Sequence, residues 1–247
     1  MARAVRGPPG TVDVVDDVAT AFAETVLAAY GARPGPRFVL VLSGGPTARR
    51  CYEALARSGA DRVDWSVVDI YMGDERCVAP DDPDANQRLV REALIDRVGA
   101  VGSFRPMSCG EGPEAYEQLV SEVAAFDVVH LGLGPDGHTA SLFPNSPALA
   151  APPGRLVMRS VDPDDRNPHP RMTLTLEGLA RARLVVFTVS GDAKHEAFAA
   201  VSAGADLPAA HVRARHVVWL VDREAAGQVG PTAVQGTGPT GAAEGDG

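Results

Sequence analysis

Six short runs of apolar, largely β-branched residues punctuate this chain: Phe38–Leu42, Val67–Met72, Asp127–Leu133, Leu156–Val161, Leu184–Val189 and Val217–Val221. Each is nearly continuous rather than alternating, which is the pattern of strands buried on both faces. Between most of them lie segments with helical spacing: Val14–Tyr30, Thr47–Arg57, Asn86–Val98, Glu114–Ala125 and Ala193–Val201. In the first, apolar residues fall at 14, 15, 18, 22, 26 and 27. Strand alternating with helix predicts βαβ units. The expected fold is therefore α/β, a mostly parallel sheet covered by helices on both faces. Ligands in such sheets gather at the carboxyl ends of strands. The segment after each strand is where chemistry is expected.

The chain has 247 residues, and 1–226 read as a single α/β domain. The last 21 residues, 227–247, hold seven Gly and two Pro and almost no large apolar side chain, so a disordered tail is expected there. Two Pro-rich loops, 144–154 and 162–170, interrupt the pattern, the second long enough to form a flap or rim. Basic residues number 23 and acidic residues 32, a net charge of −9. That sign disfavours nucleic acid and anionic membranes, while leaving room for a small anion in a local basic pocket. No run approaches the roughly 18 apolar residues of a membrane span. No apolar segment follows the Arg residues of MARAVRGPPG, so a cytoplasmic location is expected. Cys51, Cys77 and Cys109 form no CxxC pair, and three reduced thiols are expected, with no metal site. Lys194 is the only Lys among the 23 basic residues, which raises the question of whether a compact ammonium is needed there.

Four strand-end segments carry the functional reading. After Phe38–Leu42 comes Ser43-Gly44-Gly45-Pro46-Thr47 and then a helix. A glycine turn, hydroxyl donors and a helix N-terminus make an anion site suited to phosphate. After Val67–Met72 comes Gly73-Asp74-Glu75-Arg76, three charges that must pair or bind something if buried. After Asp127–Leu133 comes Gly134-Pro135-Asp136-Gly137-His138. Gly132, Gly134 and Gly137 spell G-x-G-x-x-G, yet a dinucleotide site is rejected. Asp136 would face the pyrophosphate, no full crossover helix fits, and no acidic residue stands near Val157. The remaining reading is a tight turn presenting Asp136 beside His138, the pairing that fixes an imidazole tautomer and raises its basicity. Last come Arg171 and then Ser190-Gly191-Asp192-Ala193-Lys194, where Lys194 in the first turn of a helix is disfavoured by the dipole unless an anion is bound. His195-Glu196 does not open an HExxH zinc motif, because residue 199 is Ala. His130, inside a strand, is assigned to the core or to support of the site.

Taken together, SGGPT, GDERCV, LGLGPDGHTASLFP, PRMTLTLEGL and SGDAK resemble the 6-phosphogluconolactonases in order and spacing, from about Val14 to Asp222. The resemblance implies a modified Rossmann-like, sugar-phosphate isomerase/deaminase-like fold. It also implies hydrolysis of 6-phospho-D-glucono-1,5-lactone to 6-phosphogluconate in the oxidative pentose phosphate pathway, with no cofactor. Two departures stand out. Pro46-Thr47-Ala48 replaces the usual Ser-Thr-Pro, and Val78-Ala79-Pro80 is one residue looser than the usual Val-Pro.

The expected mechanism follows. Ser43, Gly44, Gly45 and Thr47 cradle the phosphate, and Arg76, Arg171 and Lys194 neutralise it. His138 takes a proton from the attacking water. Asp136 or Asp74 orients His138 or the sugar hydroxyls, and the sequence leaves that choice open. Backbone N–H groups of the 134–137 turn are the nearest oxyanion donors. Ser141 lacks a G-x-S-x-G elbow, which disfavours a serine nucleophile. The expected partner is a small sugar-phosphate lactone, and the chain is expected to be a monomer or weak homo-oligomer. One rival is an amino-sugar-phosphate deaminase/isomerase of the same fold, whose pattern carries a Glu shortly after the DGH turn; residues 139–146 contain no acid. A non-catalytic sugar-phosphate sensor is the other, and it would have no use for the Asp136/His138 pair.

Overall fold

A computed structural model of the chain describes residues 8–227. The expected tail, 227–247, lies outside the described residues apart from Gly227. In chain order the elements are β1 (Thr11–Val15), α1 (Val18–Gly31), β2 (Phe38–Leu42), α2 (Pro46–Gly59), β3 (Val68–Met72), β4 (Asp74–Arg76) and α3 (Asn86–Val90). A π-helical turn (Arg91–Ile95) leads into α4 (Asp96–Val98), β5 (Ser103–Arg105), α5 (Pro113–Ser121), β6 (Phe126–Gly132), β7 (Val157–Ser160) and β8 (Arg171–Leu174). The chain then forms α6 (Leu176–Leu179), β9 (Ala182–Val189), α7 (His195–Ser202) and β10 (His216–Asp222).

Seven strands form one sheet in the order β1-β10-β9-β6-β2-β3-β5, and every pairing in it is parallel. The near-continuous apolar runs explain this. Residues 126–131 of β6 are buried without a break, as a strand covered on both faces requires. Phe22 of α1 is fully buried and packs on His130 of β6 at 4.3 Å between ring centroids. Burial of one such ring contributes about 1.5–3 kcal/mol. From β2 the chain builds outward through β3 to β5, then returns to lay β6 on the other side of β2. The strand order therefore reverses between β2 and β6. The loops after those two strands diverge and leave a crevice at their carboxyl ends.

A second, three-stranded antiparallel sheet has the order β4-β8-β7. The run 156–161, expected beside the other buried strands, is β7 of this small sheet. Strands β4, β5 and β8, three or four residues each, are too short for periodicity to reveal. The helix expected from Val14 begins at Val18. Residues 11–15 instead pair with β10, and Asp17 caps the helix by accepting from the Ala19 and Thr20 N–H groups, both at 3.2 Å. Among the described residues no helix is long and apolar enough to cross a membrane.

The expectation of three reduced thiols is corrected. Cys77 and Cys109 form a disulfide across a separation of 32 residues, while Cys51 is free and buried, its thiol pushed up to about 12 by burial. The pairing arises because β4 and β5 both border the carboxyl end of β3, a proximity that linear spacing does not carry. Closing a loop of that length stabilises the fold by about 3–4 kcal/mol in the chain-entropy account. Reduction with dithiothreitol is accordingly expected to lower Tm by roughly 5–10 °C, read by calorimetry. A Cys77→Ser/Cys109→Ser double variant should melt at the reduced protein's temperature. An unchanged Tm in both experiments would mean that the bond constrains nothing.

Candidate active site

The crevice between β2 and β6 deepens into a cavity of about 330 Å³. Ser43, Gly44, Gly45 and Thr47 line it from the β2–α2 turn, and Asp74 and Arg76 from β4. His138 enters from the loop after β6, Arg171 from β8 and Lys194 from the loop after β9. Asp136 stands behind His138. All ten residues singled out in the sequence thus converge on one place.

The turn after β6 is held by its own backbone. Gly134 N–H donates to His138 C=O at 2.8 Å, and Gly137 N–H to Gly134 C=O at 3.0 Å. His138 folds back over Gly134. A Cβ on residue 134 would lie 2.1 Å from His138 Nδ1, so only glycine admits the imidazole. Asp136 Oδ1 lies 2.5 Å from His138 Nδ1 and also accepts the His138 N–H at 3.2 Å. Burial opposes ionisation of Asp136, but the hydrogen bond and attraction of His138 outweigh it and hold the carboxyl down to about 2. Asp136 is therefore a carboxylate. It fixes the proton on Nδ1, leaving Nε2 without a partner among the described residues. Phe143 covers the ring at 4.9 Å between centroids.

Of the two aspartates, Asp136 is the one bonded to His138. Asp74 is bound elsewhere, accepting from Ser141 Oγ at 2.7 Å and Asn86 Nδ2 at 3.2 Å. Of the backbone N–H groups expected as oxyanion donors in the 134–137 turn, those of Gly134 and Gly137 are committed within the turn, as is that of His138, and Pro135 has none, which leaves the Asp136 N–H. Ser43 differs from expectation too. Its one hydroxyl proton goes to His130 C=O at 2.8 Å, so it braces the loop rather than facing an anion as a donor.

The cations are arranged unusually. The β4–β8 register sets Arg76 directly opposite Arg171. Like charges at such positions repel, and no carboxylate of the described residues lies within 4 Å of Arg76, Arg171 or Lys194. Arg76 donates to Asp84 C=O at 2.9 Å and Asn86 Oδ1 at 2.6 Å. Arg171, only 6% exposed, reaches Asn167 Oδ1 at 3.4 Å, and the Nε of both arginines is buried without a partner. Burial lowers the pKa of Arg171 and of half-buried Lys194, with the Asp136 charge working against the shift at Lys194. Lys194 ends a short 3₁₀ turn and precedes α7 rather than lying inside it. The arrangement suits an anion.

Three supporting residues were given no role from the sequence. Glu75 is fully buried and accepts the N–H groups of Arg76 (2.8 Å), Asn86 (2.6 Å) and Gln87 (2.7 Å), which caps α3 and fixes β4. Asn86 packs so closely on the first glycine loop that a Cβ at residue 44 would come within 1.7 Å of its Oδ1. Asn167 is held by Asp162 at 2.8 Å and forms part of the rim, which His169 fastens to Asp84 at 2.9 Å. The acid in GDER and the Asn eleven residues after it were visible signals, but their pairing needed the fold.

Comparison with known proteins places this geometry. Residues 10–220 match the family described as glucosamine-6-phosphate isomerases/6-phosphogluconolactonase. The chain belongs to that family. It is 38% identical over 228 residues to the 6-phosphogluconolactonase of Mycobacterium leprae, covering 84% of this chain and 90% of that one. It is 36% identical over 211 residues to the 6-phosphogluconolactonase of Synechocystis, covering 78% and 85%. The crystal structure of 6-phosphogluconolactonase from Thermotoga maritima superposes with a TM-score of 0.75 at 28% identity, covering 86% of this chain and 99% of that one. The seven-stranded parallel sheet of this chain, with its crevice at the point of reversal, is the frame that carries the Asp136–His138 pair and the arginines.

Two outcomes test the geometry. Gly134→Ala should displace the imidazole and lower kcat on the order of 10²-fold, with the circular dichroism spectrum unchanged; full activity would show that the ring tolerates a neighbour there. The depressed Asp136 carboxyl contributes stability that is present above its ordinary 3.8 and is lost as pH falls toward 2. Asp136→Asn is therefore expected to flatten the decline in urea-unfolding free energy between about pH 4 and pH 2. Parallel declines in variant and wild type would contradict the pairing.

Proposed function

We propose that this chain hydrolyses 6-phospho-D-glucono-1,5-lactone to 6-phosphogluconate, with His138 as the general base. One observation carries the reading: an aspartate-oriented imidazole and an uncompensated pair of arginines open into the same cavity. That combination suits an anionic substrate whose far end undergoes proton transfer. Kinship with the 6-phosphogluconolactonases supports the substrate.

The phosphate is a dianion near neutral pH. It docks on the first-turn N–H groups of α2 and the Thr47 hydroxyl, with Gly44 and Gly45 allowing close approach. Pro46 at the helix start removes one donor there. Arg76, Arg171 and Lys194 neutralise the charge. Water attacks the lactone carbon C1 while His138 Nε2 accepts its proton, and Asp136 stabilises the imidazolium that forms. The tetrahedral oxyanion then collapses. The bond from C1 to the ring oxygen breaks, and His138 returns its proton to that oxygen. The neutral lactone ester becomes a carboxylic acid plus a free hydroxyl, the acid then loses its proton to solvent to leave the carboxylate, and no redox partner is needed. Phe143 packs against His138, and residues 139–146 hold no acid to supply the further carboxylate that the deaminase pattern carries after the DGH turn.

The test is hydrolysis of freshly made lactone, coupled to oxidation of the product and corrected for spontaneous opening. His138→Ala is expected to lower kcat by roughly 10²–10⁴-fold while 6-phosphogluconate still binds. An unaltered kcat would remove the base. Lys194→Ala should chiefly raise KM, and added salt should weaken substrate binding by the wild type. A KM indifferent to both would take Lys194 out of the phosphate site. Incubation with glucosamine 6-phosphate should release no ammonia.

A further inference from the structure

Beneath the β2–α2 turn lies a buried polar cluster that the mechanism above does not use. Tyr52 Oη, from the second turn of α2, meets both backbone groups of one residue: it accepts the Ser43 N–H at 2.9 Å and donates to the Ser43 C=O at 2.8 Å. His130 Nδ1 is also 2.8 Å from Tyr52 Oη, and His130 Nε2 is 2.8 Å from Thr188 Oγ1. The loop closes through Ser43 Oγ, which donates to the His130 C=O. Tyr52, His130, Thr188 and Ser43 are 0%, 1%, 3% and 4% exposed. His130 and Thr188 form part of the cavity floor.

The proton inventory admits one fully satisfied arrangement. Tyr52 has a single O–H, and the Ser43 C=O takes it. His130 must then donate from Nδ1 to Tyr52, which leaves Nε2 to accept from the Thr188 hydroxyl. Turning the Tyr52 proton toward His130 would strip the Ser43 carbonyl of that donor. Burial lowers the basicity of His130 to about 3, so the ring stays neutral and the relay keeps its direction. The relay spans α2, β6 and β9 and grips the chain at Ser43, the residue from which the glycine turn departs. A loop of two glycines has no side chain of its own to hold it in place.

We propose that Tyr52, His130 and Thr188 are positioning residues that set the Ser43–Thr47 loop for the phosphate group of the substrate. This rests on the reading above, in which that loop binds phosphate. The relay touches neither the reacting carbon nor His138. Its loss therefore weakens ground-state and transition-state binding alike and appears in KM rather than kcat.

The experiment compares the intact wild-type chain with Tyr52→Phe, Thr188→Val and Thr188→Ser. For each, kcat and KM on the lactone and competitive inhibition by inorganic phosphate are measured. Tyr52→Phe leaves two backbone groups and an imidazole N–H unpaired. It is expected to raise KM and the phosphate inhibition constant together by about tenfold, with kcat within about threefold. Thr188→Val, one bond further from the loop, should raise both about threefold, and Thr188→Ser should restore wild-type values by replacing the hydroxyl. Should Tyr52→Phe not fold, the valine–serine pair at 188 decides alone. Unchanged KM and phosphate inhibition in the folded variants would overturn the proposal, as would a fall in kcat at constant KM. Thr47→Val separates the two readings. If it leaves inhibition by phosphate unaltered, the loop does not bind phosphate and the functional reading fails. If it weakens phosphate while Tyr52→Phe and Thr188→Val do not, only the relay fails.

Discussion

Two guanidinium groups held opposite each other, neither with a carboxylate of the described residues within 4 Å, are the constraint around which this molecule is arranged. The β4–β8 ladder enforces the opposition of Arg76 and Arg171 through backbone hydrogen bonds. Side-chain repulsion alone would drive them apart. That ladder needs β4 to turn sharply out of the parallel sheet after Gly73, and Glu75 fixes the turn by taking three backbone N–H groups. A buried carboxylate would be the obvious neutraliser for two arginines. Here it is bonded to main chain instead, and Asp74 is bonded to Ser141 and Asn86. The acids beside the arginines are thus occupied in building the walls, and the positive charge is left for a ligand.

The opposite wall follows a different principle. His138 is held by steric exclusion and one strong hydrogen bond rather than by a net charge. The imidazole lies on Gly134, is covered by Phe143 and is fixed at Nδ1 by Asp136. Because the N–H groups of Gly134, Gly137 and His138 are consumed in shaping the turn, what it chiefly presents to the cavity is a base. Charge recognition and proton transfer are therefore assigned to separate strands, which meet only because the strand order reverses between β2 and β6.

This division explains what the sequence revealed and what it concealed. The interior strands β2, β3, β6, β9 and β10 were legible because burial on both faces writes itself as unbroken Val, Leu and Ile. The edge strand β1 was not, because TVDVV is largely exposed and its last valines continue smoothly into the spacing of the helix. Strands β4 and β8, which build the arginine pair, are set by pairing across about a hundred residues and carry no local period. Nine of the ten candidate site residues could be named because each stands shortly after a strand or beside a glycine turn, and Arg171, the first residue of β8, because it follows the Pro-rich rim 162–170. What they do to one another could not. That Asp136 rather than Asp74 meets His138, that Ser43 gives its proton to a carbonyl, and that Cys77 meets Cys109 are all facts of tertiary distance. His130 was assigned to core or support, and its environment shows why a strand histidine belongs there: it is neutral and bonded at both nitrogens.

The same charge layout bears on turnover under the proposed reaction. Hydrolysis converts a dianionic lactone into a product with an additional carboxylate, formed at the end of the sugar nearest the dyad. Three cations would hold such a product more tightly than the substrate and slow its departure. The acids limit this. Asp136 stays ionised beside His138, so the new carboxylate arises next to an existing negative charge, while the phosphate end still faces the arginines. Attraction is thereby concentrated on the group that does not change, and repulsion on the group that does. Lys194, the only lysine of the chain, is the cation that feels the Asp136 charge. A compact ammonium can attract the phosphate there without the bidentate grip on a carboxylate that a guanidinium fork would supply.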